Sequence, residues 1–299
     1  LVNVTEAVRV PIDSLSVVLS AFAFGGLVYG LSGLGEWVRG EAPISPWGPL
    51  IVGAVALVFF VFRQRTLARR DAALLDLRVF SSRGYTFAIL LMATLMAVLF
   101  GTMILLPIYL QSVVGLDPAG TGLLMLPGGL LMGLSGPFVG RWFDRWGARA
   151  LIVPGAIVAS VSLWAMAVLL SASAPWTLTL ACHILLSAGL ALIFTPLFAV
   201  ALGSVRPSLY SHASAMLGTS QQLSGAAGTA LFVVVFTVAV GQASGSMNAN
   251  SVTAAEVGAG THAAFLVGAV LSLLAIAVAF FIESPPVDED ADSAAPQGH

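Results

Sequence analysis

Eight long apolar segments, separated by short polar stretches, account for most of this chain. A helix needs about 20 apolar residues to cross the hydrocarbon core of a bilayer, and most of these segments approach or exceed that length. The third is longer than one crossing requires, so we expect it to tilt or protrude. The pattern therefore predicts an all-α, polytopic transmembrane helical bundle of about eight spans. The expected spans are 12–34, 47–62, 85–111, 121–139, 151–171, 176–202, 217–240 and 263–281.

Composition supports the same class of protein. Hydrophobic residues make up 58% of the chain and charged residues only 9%, with a mean hydropathy of +0.99. Soluble domains carry about 25% charged residues, so a single water-soluble core is excluded. The one cysteine, Cys182, rules out a disulfide framework and a thiolate metal site. The sequence contains no phosphate-binding loop, HExxH motif or paired carboxylates. We therefore expect no enzyme activity, no cofactor and no metal.

The basic residues, which are all arginines, fall mainly on one side of the predicted spans. Six lie in the loop after span two, three lie two spans later and one lies two spans after that, whereas Arg39 is on the opposite side. Because positive residues accumulate on the cytoplasmic side, we expect both termini in the cytoplasm of a multi-pass inner-membrane protein. We interpret the arginines of the loop after span two as anchors at lipid headgroups and expect no nucleic-acid partner. The ten arginines are Arg63, Arg65, Arg69, Arg70, Arg78, Arg83, Arg141, Arg145, Arg149 and Arg206.

Three polar regions carry further expectations. The basic loop is predicted to form an amphipathic helix on the membrane surface, with Leu74, Leu75, Leu77 and Phe80 towards lipid or protein. Residues 241–260 are rich in Ser, Asn, Gly and Thr and should form an outer loop. The tail at 283–299 is acidic and rich in Pro, Ala and Ser, and we expect it to be disordered.

Residues 126–149 combine a glycine-rich apolar run with a short charged turn. Glycines at 129, 133, 136 and 140 recur at spacings of four, three and four, which predicts that they share one helix face. Such a stripe allows another backbone to approach closely in a membrane. The turn at 140–149 contains three arginines and one aspartate between two apolar runs. We therefore expect it at the membrane surface.

The motif Gly140-x3-Asp144-Arg145-x-Gly147-x-Arg149 resembles the short cytoplasmic loop motif of the major facilitator superfamily of secondary transporters. Upstream, the runs LPIYLQ at 106–111, VGL at 114–116 and GTGLLMLP at 120–127 are similar to the drug:proton antiporter branch with fourteen spans, the EmrB/QacA type. The resemblance extends from about residue 11 to residue 283. It implies a multidrug or antibiotic exporter that exchanges protons for lipophilic, often cationic, compounds.

The resemblance also implies an architecture. In that branch six helices form the first half, two extra helices follow, and six more form the second half. Eight spans then correspond to a C-terminal portion that lacks the first six-helix bundle. We expect two linker helices and the basic cytoplasmic loop at 1–83, the C-terminal bundle at 84–282 and the tail at 283–299. The partners would be the lipid bilayer, a lipophilic substrate, protons and the missing N-terminal half. The alternative is a non-transporting scaffold, or a partner subunit of a split transporter.

The charged turn has two interpretations. By resemblance, the cluster of Gly140, Asp144, Arg145, Gly147 and Arg149 is a gate that latches the cytoplasmic side. Asp144 precedes span five, where the positive helix terminus would favour a carboxylate, and the arginines could pair with it. The alternative is a tight turn whose arginines only set topology.

Polar residues within the spans are candidates for a substrate cavity. Gln221, Gly225 and Gly228 share one face of span seven and would either line the cavity or form a close helix contact; an arginine that the family often has beside Gln221 is absent. His183, aligned with Ser187 and Phe194, could relay protons or simply bond a neighbouring helix.

Two further candidates end span three: Tyr109 and Gln111 would touch substrate or mark the membrane interface. No Asp, Glu or Arg lies deep in any predicted span. Because proton coupling needs an intramembrane titrating group, the resemblance places the coupling carboxylate in the missing half.

Overall fold

The computed structural model describes residues 13–40, 42–70, 72–170, 174–244 and 252–283. These residues form α-helices joined by short connections, with two 3-10 turns at Leu77–Ser81 and Pro207–Leu209, and contain no strand. The described helices are α1 Ser14–Val38, α2 Trp47–Ala68, α3 Arg83–Ser112, α4 Pro118–Leu134, α5 Gly136–Trp146, α6 Arg149–Leu169, α7 Trp176–Gly203, α8 Tyr210–Ser244 and α9 Ala254–Ala279.

The number of spans agrees with the hydrophobic pattern. Seven of the described helices are each long and apolar enough to cross a membrane. The pair α4 and α5 qualifies jointly, as one crossing bent by 45°. Eight spans result, which confirms the predicted all-α polytopic membrane bundle. A multi-pass location in a membrane follows from the same helices.

Local sequence explains where several helices begin. The Asp13 side chain accepts a hydrogen bond from the Ser16 amide at the start of α1, at 3.1 Å. Asp117 caps α4 through the Gly120 amide at 2.9 Å. Thr253 and Glu256 form a reciprocal capping box on α9. Because the first amides of a helix lack intrahelical partners, these short polar side chains define the helix starts.

The structure revises two sequence-based expectations about the polar regions. In the described part of the basic loop, which leaves out residue 71, the expected amphipathic surface helix is absent: α2 continues to Ala68, and the 3-10 turn Leu77–Ser81 precedes α3. The expected outer loop at 241–260 was drawn too wide, because α8 runs to Ser244 and α9 begins at Ala254; its middle, residues 245–251, lies outside the described residues. In both places a spanning helix continues into polar sequence, which keeps its backbone hydrogen bonds satisfied beyond the apolar core. The expected disordered tail lies outside the described residues, apart from Glu283.

Close packing of the helices depends on glycines that face another backbone. Gly26 of α1 lies against Gly53 of α2, and a methyl group on either would meet the opposite backbone. Gly155 of α6 and Gly189 of α7 form an equivalent crossing. Small residues at such crossings increase dispersion contacts, which replace the hydrophobic effect as the force between helices in lipid.

Phe232 of α8 fills the junction of α8 with α3 and α9. Its ring is fully buried and occupies the space beside Gly101 of α3 and Gly268 of α9. Helices α3 to α9 pack on one another, whereas α1 packs on α2 and on α8, where Gly35 meets Val233. The first two helices therefore attach to the outside of a larger bundle through α8.

The arginine distribution predicts the orientation of this bundle. Reporter fusions after Arg83, Arg149 and Arg206 should report cytoplasm, because positive residues are retained on that side. Fusions between residues 35 and 46, or at Ala254, should report the outside. Paired phosphatase and fluorescent-protein reporters would measure this, and a cytoplasmic signal from Ala254 would contradict the eight-span topology.

Candidate functional site

The charged turn begins inside a helix and ends at a glycine with special geometry. The short helix α5 ends at Gly147, whose φ is +77° and whose amide donates to the Phe143 carbonyl at 2.8 Å. Residues with a Cβ are strained in this left-handed region. Gly147 thus has a backbone reason to be glycine, whereas Gly140 is half-buried with open space where a Cβ would be.

Asp144 does not lie at the start of a helix. It is exposed in the last turn of α5, five residues before α6 begins at Arg149. A carboxylate at this C-terminal end faces the negative end of the helix dipole, so the expected stabilisation by a positive terminus was wrong. Within the described ranges the Asp144 carboxylate makes no hydrogen bond and no ion pair.

The three arginines of the turn lie over aromatic rings. The Arg141 guanidinium is 5.4 Å from the Phe138 ring centroid, and the Arg145 guanidinium is 6.0 Å from that of Trp146. Each contact has the geometry of a cation–π pair.

Arg149 joins two spans in the same way. Its guanidinium lies 5.9 Å from the ring centroid of Phe280, which follows α9. The structure therefore brings Asp144, Arg145 and Arg149 to one end of the bundle, but not into a charge pair. Their role as a gate stays a prediction.

The glycine stripe is interrupted by the bend between α4 and α5. Gly129 and Gly133 lie on α4, and Gly136 and Gly140 lie on α5, so they do not share one continuous helix face. A Cβ added at any of the four glycines would have no atom of another helix within 4 Å. The glycine that packs tightly is their neighbour Gly128, and the predicted stripe is open within the described structure.

His183 of α7 faces α4. Its Nε2 lies 3.2 Å from the Met125 carbonyl, and its ring contacts the space beside Gly128. Ser187, one turn further along α7, is buried against the same glycine, and Phe194 packs half-buried against the core. His183 therefore bonds a neighbouring helix, which is one of the two interpretations given above. Its role as a proton relay stays a prediction.

The polar face of α8 divides into two parts. Gly225 faces the Phe100 ring, which lies 3.1 Å from the point that a Cβ at Gly225 would occupy, and Gly228 lies directly against the Ala97 backbone. Both glycines serve the close contact between α3 and α8. Gln221 is half-buried, and its amide has no hydrogen-bond partner in the described part of the chain. Of these three candidates, Gln221 has the exposure and free polar group that a cavity residue needs.

The two candidates at the end of α3 lie in different environments. Tyr109 is fully buried inside the bundle, and Gln111 is exposed. Tyr109 therefore packs against protein rather than lying at the membrane–water interface. The structure does not bring the predicted cavity residues into one pocket, because they lie on separate contacts of α3, α7 and α8.

Hydrogen bonds between helices use residues that the sequence analysis missed. Ser272 of α9 donates to Ser160 of α6 at 2.7 Å, and Ser162 donates to the Cys182 carbonyl at 2.6 Å. The Tyr85 hydroxyl donates to the Ala213 carbonyl at 2.8 Å. The sequence does contain a signal for these bonds: single hydroxyl residues within apolar runs, because a polar group in hydrocarbon needs a partner.

A polar network at the arginine-rich end joins α1 to α2. Arg63 binds the Asp13 carboxylate through two contacts of 2.6 Å, and Ser16 also hydrogen-bonds Asp13. These bonds hold the pKa of Asp13 well below its usual value, chiefly because Arg63 donates to the carboxylate. The fully buried Gln64 donates to Ser16 at 2.8 Å and accepts from the Leu75 amide at 3.0 Å. The network fixes the first two spans and the following loop together.

Comparison with known proteins gives the family. Residues 12–229 match the Major Facilitator Superfamily. The chain is 36% identical over 284 residues to the lincomycin resistance protein LmrB of Listeria monocytogenes, covering 94% of this chain and 59% of that protein. It is 37% identical over 286 residues to the uncharacterized MFS-type transporter YcnB of Bacillus subtilis, covering 95% and 58%. The LmrB protein of Bacillus subtilis is 32% identical over 291 residues, covering 96% and 60%.

The chain spans about three fifths of the length of these curated relatives. The family match extends from the start of α1 through most of α8, and the relatives align with nearly all of the chain. The eight described spans and the charged turn after the bent helix pair are in keeping with that match. This chain therefore belongs to the major facilitator superfamily of membrane transporters.

Proposed function

We propose that this chain is the C-terminal portion of a proton-coupled exporter of drugs or antibiotics, of the fourteen-span EmrB/QacA type. The observation that carries the proposal is the alignment of 94% of this chain with only 59% of a lincomycin resistance protein. Eight spans are what remains when a six-helix half is removed from fourteen. The protein would lie in the inner membrane with both termini in the cytoplasm, as the arginines favour.

The helix contacts support the division expected from the sequence. Helices α3 to α9 pack on one another, with the bent pair α4 and α5 as one span, and would form the six-helix bundle at 84–282. Helices α1 and α2 would be the extra linker pair at 1–83. This pair contacts the spans of the bundle chiefly through α8, as expected for two helices at its periphery. The charged turn then follows the second span of the bundle.

The substrate class follows from the relatives and the site. Two of the relatives are named for lincomycin resistance, so lincomycin is the first compound to test. The half-buried Gln221 amide and the open face of Gly129 and Gly133 would line one wall of the cavity. The second wall and the proton-coupling carboxylate would come from the missing half, because transporters of this fold bind between two bundles.

Expression in a lincomycin-sensitive host tests this proposal. The chain joined to a matching six-helix half should raise the inhibitory concentration of lincomycin, and a protonophore should remove the effect. The six-helix half alone is the control. If the joined protein reaches the membrane but gives no efflux of lincomycin or of lipophilic cationic dyes, the chain is better described as a non-transporting partner subunit or scaffold.

The gate hypothesis predicts the effect of Asp144→Asn in the complete transporter. Transport should fall while the amount of membrane protein stays nearly unchanged, because the exposed carboxylate would stabilise one gate state more than the other. A shift of about 1.4 kcal/mol changes that equilibrium tenfold. Initial rates of dye efflux at equal expression measure it.

The matched control is Asp117→Asn, at the other end of the same bent span. Asparagine keeps the cap on the Gly120 amide, so transport should persist. Equal rates for wild type and Asp144→Asn would show that the turn only sets topology.

A further inference from the structure

An apolar groove opens at the arginine-rich end of the bundle, between α2, the 3-10 turn Leu77–Ser81 and α8. Its volume is about 700 Å³. The lining is mainly hydrophobic, and three arginines, Arg65, Arg69 and Arg78, stand among the lining residues. The apolar members of the lining are Val61, Ala68, Leu77, Phe80 and Met216.

The groove separates two spans that belong to different parts of the chain. On the other side of the linker pair, α1 packs directly on α8, where Gly35 meets Val233. Between α2 and α8 the contact is replaced by the groove, whose α8 wall is Met216. An occupant of this groove would therefore complete the packing of the linker pair against the bundle.

Arg78 is held in position at the boundary of the groove. Its amide and Nε donate to the Asp76 carboxylate at 2.9 and 2.7 Å, and its side chain remains 54% exposed. Burial opposes ionisation of Asp76, but the hydrogen bonds from Arg78 outweigh it and lower the pKa of that carboxyl. Asp76 therefore stays charged and orients Arg78, whose side chain is held at the edge of the groove and remains about half exposed.

A second, polar pocket lies on the far side of Arg78. It has a volume of about 710 Å³ and includes Arg206 and His212 in its lining. Within the described residues, the Arg206 side chain makes no hydrogen bond or ion pair. An apolar groove and a polar, basic pocket thus adjoin at one arginine. The hydroxyls that line the polar pocket belong to Ser81, Ser82, Ser204 and Ser208.

We propose that this paired groove and pocket bind one anionic phospholipid. An acyl chain would occupy the apolar groove, and the phosphate would lie among Arg65, Arg69 and Arg78, since guanidinium groups bind phosphate oxygens in a bidentate manner. The rest of the headgroup would reach the serine-lined pocket. The hydrophobic lining distinguishes a lipid from a soluble phosphate, and three arginines against the single carboxylate Asp76 favour an anionic over a zwitterionic headgroup.

This inference needs the membrane location of the chain and is independent of the transport activity proposed above. Arginines near the membrane surface attract anionic lipid, and basic pockets between transmembrane helices bind such headgroups. The site would join the linker pair to the bundle at the end where α2 and α8 stand apart.

Native mass spectrometry of the purified 299-residue chain tests the site, with phosphatidylglycerol and phosphatidylcholine as competing probes. The wild type should retain phosphatidylglycerol preferentially. The double substitution Arg65→Gln/Arg69→Gln should lower that preference about 30-fold, or about fivefold for each arginine. The matched control Arg141→Gln/Arg145→Gln removes two arginines that lie over rings on α5 and should leave the preference unchanged. Equal losses in both double variants would overturn the proposal.

The apolar half of the site has its own test. Met216→Trp places a larger side chain in the groove and should reduce retention of both lipids without changing any charge. Inorganic phosphate should neither displace phosphatidylglycerol nor bind with comparable affinity. Unchanged lipid retention in Met216→Trp, with the thermal transition preserved, would contradict the groove as the acyl-chain site. Displacement by inorganic phosphate would show that the pocket binds a soluble anion instead.

Discussion

Residues 1–299 alone, reconstituted in vesicles under an imposed pH gradient, should move no drug-like dye. Transporters of this family close alternately around a site between two bundles, and this chain is proposed to supply one of them. One bundle has no opposite wall, so its Gln221 face would remain open in every conformation. Gradient-dependent dye fluxes, compared with protein-free vesicles, provide the measurement. Adding the matching six-helix half should restore transport.

Gradient-driven transport by the isolated chain would contradict this prediction. A homo-oligomer supplying the second wall would then have to be considered, with His183 as the intramembrane titrating group. His183→Ala resolves that case, because it removes the histidine that the structure places between α4 and α7. Loss of transport in this variant, together with a cross-linked dimer, would identify the assembly.

Gly228→Ala should destabilise the bundle strongly. An added methyl group at Gly228 would overlap the Ala97 backbone, and backbone atoms cannot rotate away as a flexible side chain can. Helices α3 and α8 would have to separate, which also loosens Phe232 from the space beside Gly101. Overpacking of this kind costs about 1–3 kcal/mol. A lower thermal transition of the purified chain, and a smaller amount in the membrane, are the expected results.

Gly129→Ala is the matched control for this substitution. It makes the same change in another membrane span, but nothing lies within 4 Å of the added methyl group. Alanine also has a helix propensity better than glycine by about 1 kcal/mol, so stability should be unchanged or slightly higher. Equal destabilisation by both variants would show that the Gly228 contact with Ala97 is not the cause.

The hydrophobic pattern predicted the spans because the bilayer itself imposes their length and helical form. Within a membrane each backbone group must be paired inside its own segment, so a long apolar run becomes a helix without tertiary information. The ends were less predictable. α2 continued through Arg63 and Arg65, and α8 began at Tyr210, because polar residues can extend a helix beyond the apolar core.

The candidate site was only partly predictable. The motif residues Asp144, Arg145 and Arg149 lie at one end of the bundle, as the resemblance implied, but the arginines contact rings instead of Asp144. The spacing of Gly129 and Gly136 predicted one shared face, which holds only for an unbroken helix. The bend of 45° after Leu134 removes that regularity.

The amino-acid sequence by itself determined the membrane class, the eight spans and the family motif, since these depend on local hydrophobicity and on residue identity at short range. Tertiary structure decided which glycines allow backbones to meet, placing Gly228 against Ala97 while Gly129 stays open. It also decided that Gln64 is buried in a network with Ser16, and that α2 and α8 leave a groove. These features depend on distances between segments far apart in the chain, and helical periodicity specifies a face but not the neighbour that it meets.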